Sequence, residues 1–493
     1  MSEIKKPAWG SGQNQSSPDQ SDTIRYLSVA KEVDVSSQQF LSDSYDYTGG
    51  YKNGLYLIPF PIEGYYDQRR DYSTYTNFFA PIVNSTINPC FAKPATRAIL
   101  SGADTEVNDS KFLMFLADCD NRGNSFQKWM KENAAKYGRV HSRAFVVVDN
   151  FTADQMPDTD DEAVKGRKFP YIYIKTSIQV GRYENDEFGN LQTVSFYDRM
   201  EKIEGERRSI YKHWTAEEST EEYLDMQGKW ITVGEPKIHG LGTLPVAVVG
   251  DAQPNDTSKL MPEPRLYGVG RMVHSIFNKD SEMRHLERVC MFPMLTVQGN
   301  ANDLAGGASS IMFYSENASQ SPQWIQPDAG LMQALGTQRN NLRDDMFAMV
   351  EQLGVVAKKT AISGVALAYE FQAHSDVLDE TANMCEDCER QIMAIFGEYV
   401  DWTQYKYSVQ YNREYLPYDT SENIVHDSFL VDILGIPAEF KFEVIEDHLK
   451  RRFPDMEKER IDEIIQIARG DLENDKMIIN SDDKEIIDEE MDA

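Results

Sequence analysis

The stretch LAYEFQAHSDVLDETANMCEDCERQIMAIFGEYVDW, residues 367–402, decides how the rest of the chain is read. Leu367, Phe371, His374, Leu378, Thr381, Cys385, Cys388, Ile392, Phe396, Tyr399 and Trp402 recur at steps of three and four, the mark of one helical face. No proline interrupts it, so the pattern predicts a helix of about 50 Å, far beyond the globular mean. One globular core seldom needs that length.

Working outward, two more long helices precede it. Leu266, Val269, Val273, Ile276, Met283, Leu286 and Cys290 predict a helix over 264–291, with a gap in the stripe at Asp280. Leu331, Leu335, Leu342, Met346, Met349 and Leu353 predict a second helix over 329–353. Between them, 292–328 is irregular and rich in Gly, Ser and Asn, with short apolar runs such as Ile311-Met312-Phe313-Tyr314. A small-residue loop, 354–366, joins the second helix to the third.

The first half has another texture. Asp67 to Ser85 is a helix candidate that Pro81 interrupts. Phe126, Trp129, Met130 and Ala134 predict a helix from Ser125 to Tyr137, with Gly138 as its stop. Arg143 to Asp149 reads as a buried strand. From Phe169 to Gly250 the alternation reads as a β-meander, with turns at Gly189-Asn190 and Gln227-Gly228. The fold class expected is α+β. The polar residues 1–22 read as a disordered arm, and 471–493, with ten acids against two lysines, as a solvated tail.

Composition narrows the function. The 493 residues suit two to four domains, and 80 acidic against 50 basic residues give a net charge of −30. Such a chain lacks the basic face needed to hold nucleic acid by broad phosphate neutralisation, although nucleic acid can still slide past it. Five cysteines, an odd number, suit a reducing compartment. The charge-free stretch from Asn77 to Ala92 contains two prolines and three asparagines, so no helix of about 20 apolar residues is expected. Residues 1–22 lack the apolar core of a signal peptide. These features predict a soluble protein made inside a cell.

The search for chemistry returns little. There is no phosphate-binding Gly-x4-Gly-Lys loop and no His-Glu-x2-His pair. Gly268-Val269-Gly270 lacks the third glycine of a dinucleotide site, where Val273 stands. Asp118-x-Asp120-x-Arg122-Gly123 resembles a calcium loop, but Arg122 occupies a ligand position and Trp129 stands where a bidentate glutamate belongs. Cys385 and Cys388 could form half a zinc site or a redox pair; they also lie on the apolar stripe, where packing is the simpler reading. No catalytic residue, metal or cofactor is expected, and the chain reads as structural rather than enzymatic.

The order of segments then resembles the portal proteins, or head-tail connectors, of tailed double-stranded DNA bacteriophages. Tyr66-Asp67-Gln68-Arg69-Arg70 through Asn77 and Ile82-Val83 to Phe91-Ala92-Lys93-Pro94 looks like that family's opening. Tyr137-Gly138-Arg139 with Phe145 to Asp149, then Phe169-Pro170-Tyr171-Ile172 and Leu244-Pro245-Val246, follow in the same order. The likeness spans roughly 50–402. It implies a wing over 23–263, stem helices 264–291 and 329–353, a clip over 292–328, a tunnel loop over 354–366, a long wing helix over 367–402 and a crown over 403–493.

The resemblance further implies a ring, usually of twelve subunits, at one vertex of the virion capsid, made in the host cytoplasm. Its partners would be the major capsid protein, the terminase large subunit, tail adaptor proteins and double-stranded DNA passing through the channel. Lys358 and Lys359 in the tunnel loop, with Arg339 and Arg343 on the second stem helix, become the expected DNA contacts. Gly354, Ser363 and Gly364 become the loop's hinge, and Phe313, Tyr314 and Trp324 the expected anchors of the clip on terminase or adaptor. Two other readings stay open: a different virion ring or scaffold component, and a soluble α+β enzyme.

Overall fold

The computed structural model describes residues 35–60, 63, 64, 66–101, 105–107, 109–151, 166–203, 205–291, 294–298, 311–314, 323–325, 329–352, 364–402, 405–415, 460 and 464–466. The chain divides into two compact units, Met1–Tyr415 and Leu416–Ala493. In the second, residues 460 and 464–466 are helical. Apart from 405–415, the rest of the expected crown, and the arm over 1–22, lie outside the described residues.

The first unit is α+β, built around the strand Ala144–Asp149. That strand is central in a three-stranded antiparallel sheet, between Tyr171–Lys175 and Val246–Val249. Ala144, Val146 and Val148 point into a large core made mostly by helices. Phe145 and Val147 point the other way, into a smaller core against a second sheet. A strand buried on both faces reads as a continuous apolar run, which is how Ala-Phe-Val-Val-Val could be recognised.

The expected meander proves to be parts of two sheets. Tyr171–Lys175 and Val246–Val249 flank the central strand, while the five strands Val180–Asn185, Leu191–Ile203, Glu206–Trp214, Glu218–Leu224 and Trp230–Ile238 pair in sequence as a sheet of their own. The break falls at Ser177–Gln179, a single 3-10 turn closed by a capping box in which Thr176 and Gln179 satisfy each other's backbone. Alternating apolar residues run through this corner, so periodicity alone did not reveal it. The turns were legible: Gly189 and Gly228 both take positive φ, 85° and 81°.

Two helical expectations need correction. Asp67 to Ser85 is two helices, Tyr66–Tyr72 and Phe79–Ile87; Pro81 sits in the first turn of the second, where its missing N–H costs nothing. Gly138 is not a stop. The helix continues through it to Val140, with a π-wound middle at Met130–Ala135, and Ser142 ends it in the left-handed region at φ 59°. Gly138 is there for close packing: a Cβ would lie 2.9 Å from Met384 Sδ and 3.0 Å from Val249 Cγ2.

The third long helix is Gly364–Val400, 37 residues. It starts three residues earlier than expected, because nothing between Gly364 and Leu367 breaks a helix. It stops before Trp402, because Asp401 turns left-handed at φ 62° and Trp402 N–H returns to Gly397 O at 2.8 Å. Cys385 and Cys388 are fully buried thiols in the main core, with pKa values pushed up by burial, as packing residues should be. Residues 405–415, expected with the crown, belong to the first unit. There Lys406–Gln410 pairs antiparallel with Thr96–Leu100, Thr96 opposite Gln410.

Candidate functional site

The first two long helices, Tyr267–Met291 and Ala329–Gln352, lie side by side and antiparallel. Gly268 faces Met349, Asp280 faces Arg339 and Gly336 faces Met283, so numbers fall along one helix as they rise along the other. Pro264 precedes the first helix, and its carbonyl accepts from Tyr267 N–H at 3.0 Å. Gly268 and Gly270 open the helix for a packing reason. A Cβ at Gly268 would lie 2.6 Å from Met349 Cε, and one at Gly270 would lie 2.5 Å from Leu41 Cδ2 and 3.2 Å from Phe40. They let the second helix and the Ser36–Asp46 helix approach the same backbone from two sides.

Three strands lie between the two helices in sequence. Met294–Gln298 is central, parallel to Ile311–Tyr314 and antiparallel to Gln323–Ile325. The segment expected to be irregular thus contains a small sheet. Its strands are short and separated by turn-rich sequence, which hides their pairing from a reading by period.

The hairpin of helices is bolted to the body by buried polar groups. Arg69, 1% exposed, gives Nε to Glu63 Oε1 at 2.6 Å, Nη2 to Glu63 Oε2 at 2.9 Å and to Ile58 O at 2.7 Å, and Nη1 to Ser281 Oγ at 2.9 Å on the first long helix. Hydrogen bonding from Arg69 holds the Glu63 carboxyl below the ordinary range. Tyr72 Oη and His285 Nδ1 meet at 2.7 Å one turn further along. Within Tyr66-Asp67-Gln68-Arg69-Arg70, Arg69 is the residue that ties the body to the first long helix.

Asp280 and Arg339 form the clamp between the two helices, Nε to Oδ1 at 2.9 Å, both partly covered. The signal for it was present in the sequence, as a charge interrupting an otherwise apolar stripe. Arg339 is therefore turned onto the first helix. Arg343, the more exposed of the two arginines, folds onto its neighbour Asp344 at 3.0 Å. Phe313 and Tyr314 pair opposite Val297 and Gln298, and Trp324 opposite Leu295, so all three expected anchors lie in the small sheet. Gly364 is the first residue of the third long helix. Gly354, Lys358, Lys359 and Ser363 lie outside the described residues.

Charge is unevenly spread over these elements. The two hairpin helices carry six basic and six acidic side chains, whereas Gly364–Val400 carries eight acidic and one basic. A uniformly acidic surface, the simplest reading of −30, does not describe the hairpin. Among the described residues no group of three His, Cys, Asp or Glu side chains could hold a metal ion, and no helix is long and apolar enough to cross a membrane. The loop at Asp118 to Gly123 is a turn whose carboxylates are already engaged: Asp118 accepts from Gly123 N–H and Arg167, and Asp120 from Arg122 and Asn124. No protein-family model and no curated protein matches this chain.

Proposed function

We propose that this chain is the subunit of a ring through which double-stranded DNA passes at one vertex of a bacteriophage capsid, a portal. The observation that carries the reading is the pair of long antiparallel helices, about 37 Å each at 1.5 Å per residue, with a three-stranded insert between them and a body clamped along one side. Parallel packing of such hairpins around an axis makes a channel wall, and a head-to-tail contact closes it. The nearly neutral hairpin suits passage without tight holding, because phosphate binding scales with the cations presented.

On this reading Arg343, Lys358 and Lys359 touch the phosphate backbone without reading sequence, while Arg339 holds the hairpin together. The small sheet, with Phe313, Tyr314 and Trp324, meets the terminase large subunit and later the tail adaptor, and the major capsid protein surrounds the ring. The chain performs no catalysis and needs no cofactor in this role. Native mass spectrometry and negative-stain microscopy of the purified protein test it. A ring with a central hole, of about twelve copies, is expected; a monodisperse monomer near 56 kDa at several salt concentrations overturns it.

A further inference from the structure

The hairpin presents two unlike flanks. On the first long helix, Gly268, Asp280 and Met283 face the second helix. At 100° per residue, Arg271 lies about 120° around from that direction. The side opposite the second helix is lined by the segment at Tyr56 to Ile58: Tyr56 O accepts from His274 Nε2 at 2.8 Å, and Ile58 N–H donates to Asn278 Oδ1 at 2.7 Å. Leu55 and Ile58 here are 71% and 61% exposed, an apolar pair of unusual exposure. Arg271, on the same side of the helix as His274 and Asn278, is exposed, lies over the Phe40 ring at 6.0 Å and makes no ion pair among the described residues.

The second helix shows a different flank. Asp344 lies about 140° around from the side that touches the first helix, next to exposed Thr337, Asn341, Asp345 and Ala348. Its one partner among the described residues is the adjacent Arg343. The register places both flanks at one height. Gly268 is level with Met349 and Asp280 with Arg339, so Arg271 is level with about residue 346, and Asp344 is about 3 Å further along.

We infer that the Leu55–Ile58–Arg271 flank receives the Asp344–Ala348 flank of a second copy of this chain, with Arg271 paired to Asp344 of that neighbour. Rotation about an axis along the hairpin keeps every residue at its height, so a head-to-tail contact can join only groups that are level. Here a cation with no ion pair among the described residues, on the side of the helix that meets Tyr56 to Ile58, is level with an acidic pair beside a small residue. Apolar burial supplies the attraction, and the charge pair fixes the register. The inference rests on the ring reading and adds which surfaces meet.

Charge reversal in the full-length protein tests it. Arg271→Glu and Asp344→Arg, both at exposed positions, should each raise the concentration for half-assembly about tenfold or more by light scattering, with an unchanged circular dichroism spectrum. The double variant should recover most of that loss, and raised salt should weaken assembly of the parent. If the parent forms a ring and both single variants assemble like it, or the double variant fails to recover, the pairing is overturned while the ring stands. A parent that never assembles overturns both.

Discussion

The third long helix and the hairpin of the first two handle charge in opposite ways. Gly364–Val400 buries carboxylates inside the body. Glu389, fully buried, accepts from Arg97 Nε at 2.6 Å and Nη2 at 3.1 Å, from Tyr411 Oη at 2.7 Å and from Tyr407 Oη. Glu386 accepts from Tyr411 N–H, Arg413 and Arg390. Glu380 reaches Arg265 and the buried Arg139, which also holds Asp251 at 2.7 Å. The hairpin has the partly covered Asp280–Arg339 clamp and keeps its remaining aspartates exposed. A helix locked by buried ion pairs is committed to its own core; a hairpin with open flanks leaves its polar side chains facing outward.

The contrast breaks first at Glu389. Glu389→Ala leaves Arg97 and two tyrosine hydroxyls buried without their acceptor, and should cost about 3–5 kcal/mol in urea unfolding of the chain. Glu389→Gln, which keeps an acceptor, should cost less. Equal, small losses for both would mean that the cluster is wetter than it looks.

The next test also belongs to the body. His141 is fully buried, and desolvation, reinforced by Lys136, lowers its pKa to about 3; its Nε2 meets Ser42 Oγ at 2.7 Å. The fold keeps this imidazole neutral while the unfolded chain protonates it near pH 6.5. Its contribution to stability is therefore complete above pH 6.5 and is lost as pH falls towards 3, at up to about 1.4 kcal/mol per pH unit. His141→Asn should flatten that part of the profile. An unchanged slope between pH 6 and 4 would assign the loss to other groups.

On the hairpin the expected effects are smaller. Gly270→Ala gains about 1 kcal/mol of helix propensity but pushes a methyl onto Leu41 and Phe40, and overpacking costs about 1–3 kcal/mol. The net should be a modest destabilisation; a gain would show that the Ser36–Asp46 helix yields easily. Last comes Arg339→Ala, at about 0.5–1 kcal/mol because the pair is only partly covered, and less in high salt. A loss as large as that of Glu389→Ala would erase the contrast between the two regions.

The sequence made the three helices legible because their apolar stripes persist for seven to ten turns, and it made Ala144–Asp149 legible because both of its faces are apolar. It did not show which charged residues go inside. Glu386 and Glu389 flank Cys385 and Cys388 and look like a solvated edge, because the groups that neutralise them, Arg97, Tyr407, Tyr411 and Arg413, come from elsewhere in the chain. Gly138 read as a helix stop for a related reason: the side chains that exclude its Cβ, Met384 and Val249, are remote in sequence. At the hairpin, Asp280 could be noticed from the stripe it interrupts, but its partner Arg339 could not be chosen over Arg343 without the register.

One small contact on the third helix bears on how an exposed sheet edge is kept from pairing with another chain. Gln391 lays its amide along the outer edge of Val246–Val249, accepting from Val248 N–H at 3.0 Å and donating to Val248 O at 3.4 Å. The side chain stands where the next strand would pair. Without it, that edge would offer a donor and an acceptor of fixed spacing to any extended chain, above all to the same strand in another molecule. A single glutamine thus blocks this edge against strand addition.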